Sequence, residues 1–97
     1  MMLTSKQKKH LRKLSHNVQP IFQIGKGGVN SNMVVQISEA LEKRELIKIS
    51  ILQNSMEDPK GAAEEIVADT GAEVVQVIGG TIILYRESDE HKEIELP

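Results

Sequence analysis

Residues 22–32 read FQIGKGGVNSN. Within this stretch Gly25, Lys26, Gly27 and Gly28 form a G-x-x-G turn with a cation inside it. Glycines let a backbone turn sharply and approach another group with no Cβ in the way. A helix following such a turn adds free amides and the positive end of its dipole, so the chemistry on offer is recognition of an anion. A nucleotide is a poor fit. The phosphate loops of some ATPases place a glycine-lysine pair before Ser or Thr, but here the second glycine and second lysine of that pattern are missing. That lysine is the group that reaches the terminal phosphates. No G-x-G-x-x-G spacing is present either, so a nucleotide partner is excluded.

KH domains clamp a nucleic-acid backbone with a loop of this composition. Taken alone, the four residues fit a purely structural turn at least as well. Charge tips the reading. Residues 1–30 carry Lys6, Lys8, Lys9, Arg12, Lys13 and Lys26 and no acid, hence +6. The remaining six basic residues share positions 31–97 with all 14 acids, hence −8 there and −2 for the chain. A basic front on an acidic body points to an anionic partner approached from one side, and with Lys26 in the turn RNA is the better reading.

Other chemistries find no constellation. There is no cysteine, which excludes disulfides, thiolate metal sites and cysteine nucleophiles. His10, His16 and His91 lack metal-ligand spacing. His10 reads as packing beside an apolar side, and His16 as a cation at a helix C-terminus. Glu57-Asp58 and Glu64-Glu65 read as a solvated helix start rather than an acid–base pair. No enzyme, cofactor or metal is expected. Phe22 and Tyr85 are the only aromatics, so stacking of several bases is not expected and backbone and shape readout should dominate.

The elements that must position these residues follow from periodicity. Thr4 and Gln7 have capping-box spacing at the head of a helix over LTSKQKKHLRKLSHN. Leu3, Gln7, His10, Leu11 and Leu14 gather on one side of it and the five basic residues on the other. Pro20 bars a helix, and IFQI reads as a short strand. Asn30 or Ser31 caps a second helix with a stripe of Met33, Val34, Ile37 and Leu41. ELIKISIL alternates as a strand, with Ile47, Ile49 and Ile51 against helices and Lys48 and Ser50 on a more open face. Asp58 and Pro59 start a third helix carrying Ala62, Ala63, Ile66 and Val67, and Gly71 ends it. EVVQVI, Gly79-Gly80 and TIILYR form a hairpin. The first two strands, joined through a helix, should be parallel with a right-handed crossover. The expectation is an α/β sandwich of order α-β-α-β-α-β-β with a mixed four-stranded sheet. It comprises a single domain over 1–97, with its core at 3–86 and an acidic tail at 87–97 that frays.

The ordered blocks also resemble a known family. Leu3-Thr4 with Lys6-Gln7, Leu11-Arg12, His16, Pro20, IGKGG at Ile24–Gly28, ELIK at Glu45–Lys48, Val74–Gln76 with Ile78-Gly79, and LYR at Leu84–Arg86 are similar in type and separation to the CRM domain. Within that family the likeness is specifically to the small bacterial YhbY-like proteins. The resemblance covers Leu3 to Arg86. Lys8 stands where the family often has Arg, and Asn30 where Thr or Ser is common. Charge is kept at the first and capping chemistry at the second. The resemblance implies a fold similar to the C-terminal domain of translation initiation factor three, preceded by an extra N-terminal helix. It also implies RNA binding through Gly25, Lys26, Gly27 and Gly28 with Lys6, Lys8, Lys9, Arg12 and Lys13. The implied partner is ribosomal RNA or a precursor of the large ribosomal subunit, bound by a cytoplasmic monomer. Two rivals use the same basic helix differently: as a membrane-surface or protein-interaction element, or as an organelle transit peptide. The family likeness begins at Leu3, inside any such presequence, and the helix has few leucines and no large aromatic to insert. No membrane partner is expected.

Overall fold

Each helix begins where a side chain can take over a backbone donor. In the computed structural model, which describes residues 2–53, 55 and 58–97, Thr4 Oγ1 accepts from the Gln7 N–H at 3.1 Å. Gln7 Oε1 in turn accepts from the Thr4 N–H at 3.0 Å. This reciprocal pair opens α1 (Ser5–Ser15). Asn30 Oδ1 accepts from the Met33 N–H at 2.9 Å and opens α2 (Ser31–Arg44). Asp58 Oδ2 accepts from the Gly61 N–H at 3.2 Å and opens α3 (Pro59–Thr70), with Pro59 in the first turn where its missing N–H costs nothing. Gly71, at φ 74°, closes α3 in the left-handed conformation that glycine adopts without strain. Glu57 lies outside the described residues, so its pairing with Asp58 as a helix start is not described.

Four strands form one mixed sheet: β1 (Pro20–Ile24), β2 (Leu46–Ile51), β3 (Glu73–Ile78) and β4 (Thr81–Tyr85), in the spatial order β1-β2-β4-β3. β1 runs parallel to β2, as a strand–helix–strand unit requires, and β4 is antiparallel to both its neighbours. The element order and the mixed sheet match the expectation. Pro20 is tolerated because β1 is an edge strand.

The main core lies between the sheet and the α2–α3 layer. Ile24, Ile47, Ile49, Ile82 and Leu84 meet Ile37, Leu41, Ala62, Ala63 and Ile66, all essentially inaccessible to solvent. The opposite face is less open than the alternation of β2 suggests. There Leu46, Val75, Ile83 and Tyr85 form a second cluster with Leu3 and Leu11, so α1 covers one end of that face. Leu14, placed by periodicity on the same side of the helix, is 38% exposed instead. It belongs to the last turn, close to where α1 ends at Ser15.

The larger departure is the tail. The acidic run from Glu87 does not fray. Ile94 and Leu96 pack on the second cluster, and Pro97 O accepts from Gln7 Nε2 at 3.3 Å. Composition marks this run as charged and polar, but its backbone is held by the carboxylates of Glu42 in α2 and Glu45 at the helix's C-cap.

Candidate nucleic-acid interface

The glycine turn sits at the C-terminal end of β1. Gly28 N–H donates to Gly25 O at 3.0 Å, closing a tight turn, and Gly28 has φ 69°. Gly28 is therefore the glycine that the backbone demands. Gly27 is different. It does not lie in the left-handed region, and a Cβ built there would meet nothing within 4 Å among the described residues. A Cβ at Gly25 would make ordinary contact with Leu52 Cδ1 at 3.6 Å. Lys26 and Gly27 are exposed, and among the described residues neither N–H has an internal acceptor. Beyond the turn, the Asn30 cap takes the Met33 N–H and leaves the Ser31 and Asn32 donors of the first turn of α2 without internal acceptors among the described residues. This end of the molecule thus presents backbone donors, a helix N-terminus and one lysine.

The other basic residues lie on α1. Lys6, Lys9 and Lys13 are exposed, whereas Lys8 and Arg12 are half-buried. Among the described residues none of these five, nor Lys26, forms an ion pair. Their charges are not spent inside the fold. The helix and the turn do not make one pocket. α1 packs on the sheet face opposite α2 and over the end where Leu46 pairs with Tyr85. The turn, by contrast, shares its end of the sheet with the Gly79-Gly80 hairpin: Leu52 N–H donates to Ile24 O at 2.9 Å and Ile51 N–H to Gly80 O at 2.6 Å. Among the described residues no hydrogen bond joins Lys26 to α1. The nine residues named from sequence form two basic patches.

Comparison with known proteins identifies the family. The family model for the CRS1 / YhbY (CRM) domain matches residues 3–86. The chain belongs to the CRM domain family. A Bacillus subtilis relative named "Probable RNA-binding protein YqeI" is 59% identical over 96 residues, covering 99% of this chain and 100% of that protein. A Haemophilus influenzae relative named "RNA-binding protein" is 37% identical over 95 residues, covering 98% and 95%. The solution structure of a Staphylococcus aureus protein, described as a candidate RNA-binding protein, matches with a TM-score of 0.82 and 60% identity. That match covers 99% of this chain and 100% of the other. Among the described residues no helix is long and apolar enough to cross a membrane, and no three His, Asp or Glu side chains are grouped to hold a metal.

Three residues of this CRM domain organise the scaffold, a role the sequence reading assigns to none of them. Arg86, just beyond β4, donates from Nη1 to Ser38 Oγ at 2.9 Å and Thr70 O at 2.8 Å, and from Nη2 to Ser38 O at 2.7 Å. It ties the sheet to α2 and α3. Glu45 Oε2 accepts from the Ser88 N–H at 2.9 Å, and its Oε1 accepts from the N–H groups of Glu93 and Ile94 at 2.8 and 2.9 Å. Glu42 accepts from the Asp89 and Glu90 N–H groups at 2.9 and 3.0 Å and from Ser88 Oγ at 2.7 Å. The donors of Asp89, Ser88 and Glu90 hold the Glu42 carboxyl down to about 2. Burial pushes Glu45 up, but the N–H groups of Glu93, Ile94 and Ser88 more than offset this, and its pKa falls below the ordinary value. For Glu45 and Arg86 the signal that could have found them is the family likeness, since they stand in its ELIK and LYR blocks, whereas Glu42 stands in none of the blocks.

Proposed function

We propose that this chain binds RNA by its phosphate backbone. The Gly25–Gly28 turn and the N-terminus of α2 hold one stretch of phosphates, and Lys6, Lys8, Lys9, Arg12 and Lys13 of α1 attract another. The partner is ribosomal RNA in a precursor of the large ribosomal subunit, bound in the cytoplasm by a monomer, with no catalytic step and no cofactor. The observation that carries this reading is the pairing of Lys26 with Gly27. Both are exposed, and among the described residues both N–H groups lack internal acceptors and no neighbour requires Gly27 to be bare. A missing side chain that packing does not need is useful to a backbone that must approach a phosphate. The names of the relatives support RNA as the polyanion. The membrane-surface alternative loses its apolar side, because Leu3 and Leu11 are buried against the sheet and are not available to insert into lipid.

The test is Lys26→Asp with Gly27→Asp. Two carboxylates then stand where a phosphate is expected, while Gly25 and Gly28 keep the turn. RNA binding and association with ribosomal particles should be abolished, while Tm moves by only a few degrees because both positions are exposed. A double variant that folds normally and binds RNA like the parent makes the turn structural. Crosslinking in cells with sequencing of the bound RNA tests the ribosomal partner, and reads spread evenly over messenger RNA would overturn it.

A further inference from the structure

Among the described residues, the sheet face that carries α1 is covered at one end only. Strand register resolves it into rows. Leu46, Tyr85 and Glu73 are paired neighbours at the covered end, and Leu46 and Tyr85 belong to the cluster under α1. The row at the other end runs Gln23, Ser50, Thr81 and Ile78 across all four strands. Between them, Lys48 and Gln76 flank Ile83. Strand alternation sets all these side chains opposite the main core, because Ile24, Ile49 and Ile82 face it. None of Gln23, Lys48, Ser50, Gln76, Ile78 or Thr81 is claimed by the second cluster. Gln23 and Ile78 are exposed, Ile78 at 58%, and the other four are half-buried.

Three features of this strip bear on its occupant. It contains no acid, in a chain with 14 of them, and Lys48 lies at its middle. Its uncharged polar members are two amides and two hydroxyls, which both donate and accept and can therefore match the mixed donors and acceptors of base edges, where a phosphate offers acceptors only. It ends at Gln23, two residues before the turn that begins at Gly25. Strand β1 thus leads directly from the strip into the turn.

We propose that the uncovered half of the sheet is a base-reading platform for single-stranded RNA. The turn and Lys26 hold the backbone at the rim, Gln23, Ser50, Gln76 and Thr81 hydrogen-bond to unpaired base edges, and Ile78 supplies an apolar surface for a base to lie on. The proposal rests on the phosphate-gripping role of the turn and adds to it a preference for unpaired over duplex RNA and for some base sequences over others. It departs from the backbone-only readout expected from the scarcity of aromatics, because hydrogen bonds to unstacked bases do not require an aromatic platform.

The experiment compares the parent with Gln23→Ala/Ser50→Ala/Gln76→Ala, using short single-stranded RNAs of randomised sequence and a duplex RNA of the same length. The parent should favour single strands over the duplex and spread its affinities over base sequence. The triple variant should narrow that spread about fivefold to tenfold, the loss of one or two net hydrogen bonds, while the dependence of affinity on salt keeps its slope. Photo-crosslinking of thiouridine-containing single strands to the unmodified parent gives a second readout that needs no variant. Crosslinked peptides should include those carrying Gln23, Ser50 or Ile78. A parent that binds single strands and duplex alike without base preference, or crosslinks confined to α1 and the turn, overturns the platform. In that case the phosphate-gripping reading stands as long as Lys26→Asp with Gly27→Asp still abolishes binding. If that double variant binds like the parent while the strip crosslinks, the turn fails and the platform stands.

Discussion

The two ends of the sheet treat charge in opposite ways. At the end bearing Glu42 and Glu45, six donors from residues 88–94 converge on two carboxylates, and every bond is internal. At the end bearing Lys26, the backbone donors of Lys26 and Gly27 have no internal acceptor among the described residues, and the lysine has no ion pair. The first arrangement uses electrostatics to hold the chain together. The second leaves it available to an outside anion. Glu45 sharpens the contrast, because it is a buried acid at φ 65°. A non-glycine residue in that region costs roughly 1 to 3 kcal/mol and persists only where surrounding bonds over-determine it. Here the bonds are those to the tail, along with the Arg86 N–H, which donates to Glu45 O at 2.9 Å. The saturated charge serves the fold, and the unsaturated charge is what the proposed RNA contact requires.

If this division is right, the two ends can be broken separately. Beside the double aspartate, which should abolish RNA binding with little change in stability, Glu45→Ala should do the reverse. It removes the acceptor of three N–H groups at once. A stability loss of roughly 2 to 4 kcal/mol is expected, held below the sum of the lost bonds because the freed tail can turn to water. Urea denaturation measures the loss, and RNA affinity below the transition should change little. A Glu45→Ala protein as stable as the parent would show that the tail adds nothing to the fold.

Acid should have a smaller effect in the same direction. Both carboxyls have folded-state pKa values below the ordinary 4.5, with Glu42 at about 2. A group depressed by folding contributes stability that is fully present above its unfolded pKa and is lost as pH falls through the folded value. Stability supplied by the Glu42–Glu45 end should therefore hold above pH 4.5 and decline progressively towards about pH 2. Repeating the denaturation series with Glu42→Gln tests the source. The variant should show a weaker dependence across this window, and an unchanged dependence would assign it to other acids.

Much of this contrast was legible in the sequence at one end only. The turn announced itself through glycines and a lysine, and the caps at Thr4, Asn30 and Asp58 through short polar side chains at fixed offsets from the first helical turn. Local signals suffice for local structures. The bonds of Glu42 and Glu45 to the tail span more than 40 residues, and nothing in the composition of 87–97 distinguishes a docked acidic segment from a frayed one. The periodicity of α1 showed which side was apolar. It did not show that this side would close only one half of a sheet face, because that depends on how the helix crosses the strands.

On α1 the expected effects are graded. Lys9→Ala with Lys13→Ala removes two exposed charges that hold nothing inside the protein. Stability should stay within about 0.5 kcal/mol. Three to six phosphate contacts in the parent correspond to a slope of about −2 to −5 in log affinity against log salt, and losing two contacts should make it shallower by about 1 to 2. A parent whose affinity is flat between low and physiological salt would refute the electrostatic account, and an unchanged slope in the variant would remove α1 from the interface.

The finest test is Gly27→Ala, because here the two uses of a backbone predict opposite signs. With no left-handed φ and open space around the new methyl group, the folded state accepts alanine without strain. The unfolded chain loses conformational freedom, so stability should rise by about 0.4 to 1 kcal/mol, visible as an increase of a few degrees in Tm. A methyl group placed between the Gly27 backbone and a phosphate, however, should lower RNA affinity severalfold. Rising stability with falling affinity identifies Gly27 as bare for its ligand. Rising stability with unchanged affinity transfers the contact to the Lys26 side chain and the first amides of α2. Falling stability would mean that Gly27 is a structural glycine, and the turn would then have to be counted with the saturated end of the molecule.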